Sequence, residues 1–212
     1  VGRAVKILAC SDIHGNVETA SLLADVCSRE KFNLILVAGD ITHLGPVEVG
    51  RKIIGVLLEA GKPVLHVPGN MDPPGLHEEL KDLGVSLHGR GVTVEGLSFV
   101  GAGFECGVSE ALRDGVKQLG GGKPDIVLTH APPYNTSVDL AWSGAHVGCE
   151  ELAEFIFRYK PKLSVCGHIH EARGTDWLGE TLICNPGPAS RGFYAEIVWE
   201  GEVKVFLKSL KP

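Results

Sequence analysis

Seven side chains able to bind a cation punctuate this 212-residue chain, each just after an apolar run. "CSDIHGN" supplies Asp12 and His14, "VAGDITH" supplies Asp40, "VPGNMD" supplies Asn70, "LTHAPP" supplies His130, and "CGHIH" supplies His168 and His170. Three carry oxygen donors and four are imidazoles. Taken singly, each has an ordinary explanation: Asp12 or Asp40 reads as a cap or turn residue, because a carboxylate accepts backbone N–H bonds where a strand turns into a helix. Recurrence changes the reading. Two pairs are spaced i, i+2, a spacing that points side chains the same way on extended backbone, and single donors follow the other runs. A mixed carboxylate, amide and imidazole set that needs no thiolate favours a borderline divalent ion, Mn, Fe, Co, Ni or Zn, over Ca or Mg. The donor number suits two such ions.

Donors so far apart in the chain meet only where the ends of several strands converge. "VKILAC" and "NLILVAG" are apolar runs separated by "VETASLLADVCSRE", in which Leu22, Leu23, Val26 and Cys27 recur at helical spacing, so the chain opens with a βαβ unit. A second helix begins at Pro46, carries Val49, Ile53, Val56, Leu57 and Ala60 on one stripe, and closes at Gly61. "PVLHVPG" is a third strand, followed by a short helix over residues 77–81. "VSLHGRGVTVEGLSFVGAG" reads as antiparallel strands around a Glu95-Gly96 turn. "DIVLTH" and "KLSVCGHIH" flank a helix with Cys149, Leu152, Phe155, Ile156 and Tyr159 on one side, stopped by Pro161. The end is strand-rich, with a hairpin at Glu200-Gly201.

This order implies an α/β fold in four layers, α/β/β/α: two mixed β-sheets packed face to face and flanked by helices, in a single domain spanning residues 1–212. Ligands gather beyond the carboxyl ends of strands in such sheets, which is where the donors fall. A Rossmann-type nucleotide domain is disfavoured, because "SDIHGN" replaces the glycine-rich phosphate turn after the first strand.

Composition narrows the partners. Hydrophobic residues at 44% and charged residues at 22% describe a soluble globular protein, and the mean hydropathy of +0.12 points to much buried strand. A net charge of −6 argues against an extended nucleic acid as substrate. No apolar run approaches the roughly 18 to 20 residues of a membrane span, and Val5 to Cys10 is too short and carries Lys6, so a cytoplasmic protein without a membrane partner is expected. The six cysteines, Cys10, Cys27, Cys106, Cys149, Cys166 and Cys184, include no CxxC pair and are expected to be reduced and mostly buried. A homo-oligomer is left open.

"DIH", "GD", "GN", "TH" and "GHIH", in that order after successive strands, resemble the calcineurin-like metallophosphoesterase family, with the match running from Asp12 to about Pro188. The resemblance implies a double β-sandwich with flanking helices and two divalent ions, manganese first, with iron, zinc, nickel or cobalt as alternatives. It implies further that Asp12, His14 and His170 bind one ion, that Asn70, His130 and His168 bind the other, and that Asp40 bridges them. A bridging hydroxide then attacks the phosphorus of a small phosphate ester, with Asp40, Asn70 and His130 at the reaction centre. Two cations roughly 3.5 to 4 Å apart repel, and a shared carboxylate reduces that cost.

The sequence departs from the family at Met71. Family phosphatases typically have histidine after that asparagine, taken as the general acid that assists the leaving alkoxide, and a thioether has no proton to give. The resemblance is therefore closest to the small bacterial and archaeal phosphodiesterase branch, where this histidine is commonly replaced. His43 in "GDITHLG" is the one nearby histidine that could partly substitute. Asn16 is expected to cap the first helix, "NPGP" to be architectural, His66 to be a core residue, and His77, His88 and His146 have no supporting pattern. The alternative reading is a non-catalytic binding or scaffold module that keeps the fold, against which the full donor set argues.

Overall fold

The computed structural model describes residues 4–104 and 107–210. The chain begins with β1 (Val5–Cys10), α1 (Val17–Arg29), β2 (Leu34–Ala38), α2 (Val47–Leu58), β3 (Val64–Val67), the single turn α3 (Leu76–Glu79) and β4 (Val85–Ser86). The hairpin β5 (Gly91–Val94) and β6 (Leu97–Ala102) leads into α4 (Val108–Gln118), β7 (Ile126–Thr129), α5 (Glu150–Tyr159) and β8 (Leu163–Val165). Four strands end the chain: β9 (Gly174–Leu178), β10 (Thr181–Asn185), β11 (Phe193–Glu200) and β12 (Glu202–Ser209). They form two six-stranded sheets, ordered β12-β11-β1-β2-β3-β4 and β5-β6-β7-β8-β10-β9.

Side-chain alternation along the strands builds the layers. On β1, Val5, Ile7 and Ala9 enter a core between the sheets, together with Leu34 and Leu36 of β2 and Phe99, Ile126 and Leu128 of the second sheet. Leu8 and Cys10 point the other way and pack with Leu23, Cys27, Ile53 and Leu57 of α1 and α2. A third apolar layer joins Val100, Val127 and Ile183 to Leu112, Val116, Leu152 and Ile156 of α4 and α5. Strands buried on both faces read as unbroken apolar runs, and three apolar layers make the expected four-layer α/β/β/α sandwich.

Several local expectations change. Leu22 is exposed, because α1 turns Ala20, Leu23, Ala24 and Cys27 inward instead. Residues 85–102 divide between the sheets: β4 runs parallel to β3, whereas only β5 and β6 form the antiparallel hairpin, with Glu95 (φ 52°) and Gly96 (φ 80°) both left-handed at its turn. Helix α4 and strand β9 had no sequence assignment. In α4 the stripe Ala111, Leu112, Gly115 and Val116 is interrupted by a glycine, which is needed because a Cβ there would stand 2.8 Å from the Arg90 carbonyl oxygen. His66 is in the core as expected. Cys10, Cys27, Cys166 and Cys184 are buried free thiols, Cys149 is half-buried and free, and Cys106 lies outside the described residues. Among the described residues, no helix is long and apolar enough to cross a membrane.

The feature that positions the donors is parallel pairing. Strands β1, β2 and β3 are mutually parallel, as are β6, β7 and β8, so each sheet brings successive carboxyl ends to one edge. A bond between the two edges, from His130 Nδ1 to the Ala38 carbonyl at 2.7 Å, joins the sheets at that point.

Candidate metal centre

The backbone turns abruptly where the donors lie. Asp12 (φ 57°), His14 (φ 51°), Asp40 (φ 49°) and His168 (φ 68°) all adopt left-handed conformations. The i, i+2 pairs are therefore not held on extended strand, as their spacing had suggested, but on tight turns just beyond it. Left-handed backbone at a non-glycine residue costs on the order of 1–3 kcal/mol and persists only when its surroundings fix it. Here the surroundings are backbone bonds between neighbouring loops: Asp12 N–H to the Gly39 carbonyl at 3.0 Å and His14 N–H to the Asp40 carbonyl at 3.0 Å.

Two donor clusters result. In the first, His170 Nε2 lies 3.0 Å from Asp12 Oδ1 and 3.4 Å from His14 Nε2. In the second, His130 Nε2 lies 3.0 Å from Asn70 Oδ1 and 3.4 Å from Asp40 Oδ1. The His168 ring stands 5.0 Å from the His130 ring, while its backbone N–H donates to Asp12 Oδ2 at 3.2 Å. Asp40 Oδ2 faces the other way, 4.0 Å from His14 Nε2. All seven expected donors thus converge on one edge of the sandwich.

Glycines make the approach possible. A Cβ at Gly39 would stand 2.8 Å from His130 Cβ, inside contact distance, and one at Gly69 would meet the Asp40 carboxylate.

The electrostatics reflect crowded carboxylates. Burial pushes the Asp40 carboxyl above its ordinary range, and the charges of Asp12 and Asp72 add to this against the opposing effects of His130 and the Met71 N–H. Burial acts the same way on Asp12, but the His170 bond, His130 and Ser11 outweigh it and hold that carboxyl low. The bond to Asp12 raises the His170 imidazole. Burial beside His130 lowers His168 to about 4.

The residues fit divalent cations. The Ala38 carbonyl can only accept, so His130 carries a proton on Nδ1; in the neutral ring Nε2 is then an acceptor, facing the oxygens of Asn70 and Asp40. A cation satisfies all of them together. Two donor groups, Asp12–His14–His170 and Asp12–Asp40–His130, each bring their ligand atoms within 4.8 Å of one another.

The remaining sequence candidates fall around this centre. His43 is exposed, with Nδ1 at 3.3 Å from His14 Nδ1. Met71 meets the centre through its backbone: its N–H donates to Asp40 Oδ1 at 2.8 Å, and its carbonyl accepts from Leu44 N–H at 2.8 Å. Asn16 caps α1, accepting from Thr19 N–H at 3.0 Å. In "NPGP", Asn185 donates to the Ile169 carbonyl at 2.9 Å and so braces the histidine loop.

Other residues carry roles that the sequence reading missed. Asp72 accepts from Thr42 N–H at 2.6 Å, Gly69 N–H at 2.8 Å and Ile41 N–H at 3.1 Å, tying the Asn70 loop to the Asp40 loop. Its one signal was its type, a short carboxylate in a turn after a strand, where Asp accepts backbone N–H groups. His146, for which no pattern existed, pairs with the buried Asp139 at 2.6 Å and helps fix the long loop after His130. Phe104 rests on the rings of His168 and His130, with centroids at 4.9 and 5.7 Å.

Comparison with known proteins agrees with this geometry. The family model for calcineurin-like phosphoesterase matches residues 5–172. An uncharacterized protein of Methanocaldococcus jannaschii, MJ1162, is 32% identical over 210 residues, covering 90% of this chain and 91% of that protein. Among solved structures, the protein TT1561 of Thermus thermophilus superposes with a TM-score of 0.76 at 19% identity, covering 99% of this chain and all of the other. A protein described as a novel archaeal phosphodiesterase gives 0.58 at 16% identity, covering 96% of this chain and 100% of its own. At these identities the structural likenesses speak for the fold.

Proposed function

The chain belongs to the calcineurin-like phosphoesterase family, and from that premise we propose that it is a two-metal phosphodiesterase acting on small phosphate esters. The observation that carries this reading is the placement of Asp40, whose Oδ1 faces His130 at 3.4 Å and whose Oδ2 faces His14 at 4.0 Å. In this reading one carboxylate serves both ions, with Asp12, His14 and His170 holding the first and Asn70, His130 and His168 the second. The ions, when bound, supply Lewis acidity and an activated water. Manganese heads the candidates because the family resemblance puts it first; the mixed oxygen and imidazole set itself suits Mn, Fe, Co, Ni or Zn alike.

The chain's own groups divide the remaining work. Met71 N–H fixes Asp40, so the shared carboxylate is held whatever side chain stands at 71. Asn70, through its amide N–H₂, orients a phosphoryl oxygen, while His130 works at the reaction centre as a ligand. His130 keeps its proton on Nδ1, bonded to Ala38, and so has none to give at Nε2. Met71 has none either. His43, exposed beside His14, is the proton donor this reading assigns to the leaving group. A side chain in water positions a proton poorly, so diesters with leaving groups of low pKa are the favoured substrates. A reducing cytoplasmic setting is part of the proposal and is supported by the five described cysteines, all free thiols.

The convergence of every donor argues against a scaffold that has only kept the fold. The test is a panel of metal-stripped protein reloaded with manganese, iron, zinc, nickel, cobalt or magnesium, assayed with bis(p-nitrophenyl) phosphate and p-nitrophenyl phosphate. Manganese-dependent turnover with the diester ahead is expected. No turnover of either ester with any ion would favour the scaffold.

A further inference from the structure

We propose that an apolar recess on the His130 and His168 side of the centre binds a compact aryl or alkyl substituent of the phosphoester, with Phe104 and Val147 as its walls. This rests on the phosphoesterase reading above and names the kind of substrate it takes.

Phe104 follows β6 and is anchored to the loop that carries Asn70: its N–H bonds the Pro68 carbonyl at 3.1 Å, and Gly103 lies so close to Pro68 that a Cβ would overlap it. The ring touches both histidines of the second cluster, yet Phe104 remains 42% exposed. The same residue lines a cavity of about 240 Å³ together with Val108, Ala131, Val147, Gly148 and Cys149. Ala131 directly follows His130 in the chain, so the cavity begins where the second cluster ends.

The lining carries no charged side chain. Cys149 is its one ionisable group, and burial raises that thiol further, leaving it neutral at pH 7. A charged substituent would give up its hydration here with no opposite charge to meet it. The opposite end of the centre differs, since His14 and His170 are only partly buried and His43 is exposed. A phosphoester bound across the centre therefore has an apolar side and a polar side.

Size sets the substituent. An apolar cavity of roughly 150 Å³ accepts benzene, whereas pockets for drug-sized ligands begin at roughly 300 Å³. A volume of about 240 Å³ takes one ring with a small group attached, or a short alkyl chain. The wall is also built in advance. Val147 N–H bonds the Asp139 carbonyl at 3.1 Å, and Gly148 N–H bonds Asp139 Oδ2 at 3.0 Å. A Cβ at Gly148 would lie 2.7 Å from the Pro133 carbonyl, so the loop has no slack there.

The test measures binding, which separates it from turnover. Calorimetry on the full manganese-loaded chain compares phenylphosphonate with methylphosphonate, which present the same dianion and differ only in the substituent. Phenylphosphonate should bind about tenfold more tightly, which is ~1.4 kcal/mol and corresponds to about 55 Å² of apolar surface at ~25 cal/mol per Å². Val147 is 48% exposed, so replacing it spares the core. Val147→Asp places a charge in the wall, and Val147→Trp fills the space. In both variants the ratio should fall to near one, and any general effect on anion binding cancels in the ratio. Equal affinities in the parent, or a tenfold ratio that persists in both variants, would overturn the recess as a substituent site. Tight, ring-selective binding without hydrolysis of any ester would leave the recess standing and sink the phosphodiesterase reading.

Discussion

Replacing Asp72 should loosen the centre without removing a single donor. Its carboxylate lies at the junction of two loops and accepts three backbone N–H groups, from Ile41 and Gly69 on Oδ2 and from Thr42 on Oδ1. Asp72→Ala leaves those three donors unsatisfied beside a residue that is only 9% exposed. Each unsatisfied buried N–H costs ~1–3 kcal/mol; because water can reach part of this site, the lower end applies and the sum is ~3 kcal/mol. Asp72→Asn is the graded case. Its single oxygen can take the Oδ2 position and keep two bonds, while its amide N–H₂ then faces the Thr42 N–H, for a loss of ~1–2 kcal/mol. The same loop presents Asn70 and the Met71 N–H that holds Asp40, so metal affinity should follow stability, falling about 10- to 100-fold in Asp72→Ala. Urea unfolding of the metal-free chain gives the first quantity and calorimetric manganese titration the second. An Asp72→Ala variant within ~0.5 kcal/mol of the parent and with unchanged manganese affinity would refute the idea that this carboxylate carries the junction.

Gly39→Ala should be more disruptive than any surface glycine change, since its φ is 87° and its Cβ would press on His130; a loss of the His130-side ion with the other retained is expected from elemental analysis, and full stoichiometry would contradict it. His66 is buried with its imidazole lowered to about 4, against an ordinary 6.5, so only the unfolded chain takes up its proton between those values. The resulting stability is complete above pH 6.5 and drains as pH falls toward 4, by ~2 kcal/mol at pH 5. Urea unfolding at pH 7 and pH 5 should show a smaller drop in His66→Leu than in the parent, and equal drops would remove His66 from the account. Met71→His should raise kcat/KM more for esters with basic leaving groups than for activated ones, because protonation matters in proportion to the alkoxide's basicity. Parallel dependences on leaving-group pKa would mean that residue 71 does not occupy the acid's position.

The donors were legible because chemistry is written in residue types: seven oxygen and imidazole side chains after apolar runs have few other uses together. The layers were legible because strands covered on both faces leave continuous apolar runs. What stayed hidden depended on three-dimensional neighbours. Helix α4 is broken in pattern by Gly115, whose reason is a carbonyl on another element. Strand β9, "GTDWL", alternates in burial and ends on an edge of its sheet, so its apolar signal is weak. The two i, i+2 pairs, Asp12 with His14 and His168 with His170, read as extended because spacing says nothing of φ, and the left-handed backbone at Asp12, His14 and His168 is set by the bonds of adjacent loops. The recess beside His130 combines residues that follow β6, open α4 and precede α5, which no local pattern joins.

The central claim is that two ions share Asp40, and electron paramagnetic resonance of the manganese-titrated chain tests it most directly. Two Mn(II) ions held by one carboxylate are close enough to couple, so the signal at two ions per chain should be that of a spin-coupled pair. Asp40→Asn should lose that coupling while the Asp12, His14 and His170 cluster still takes up one ion. Two magnetically isolated ions in the parent, or a coupled pair that survives in Asp40→Asn, would contradict the account.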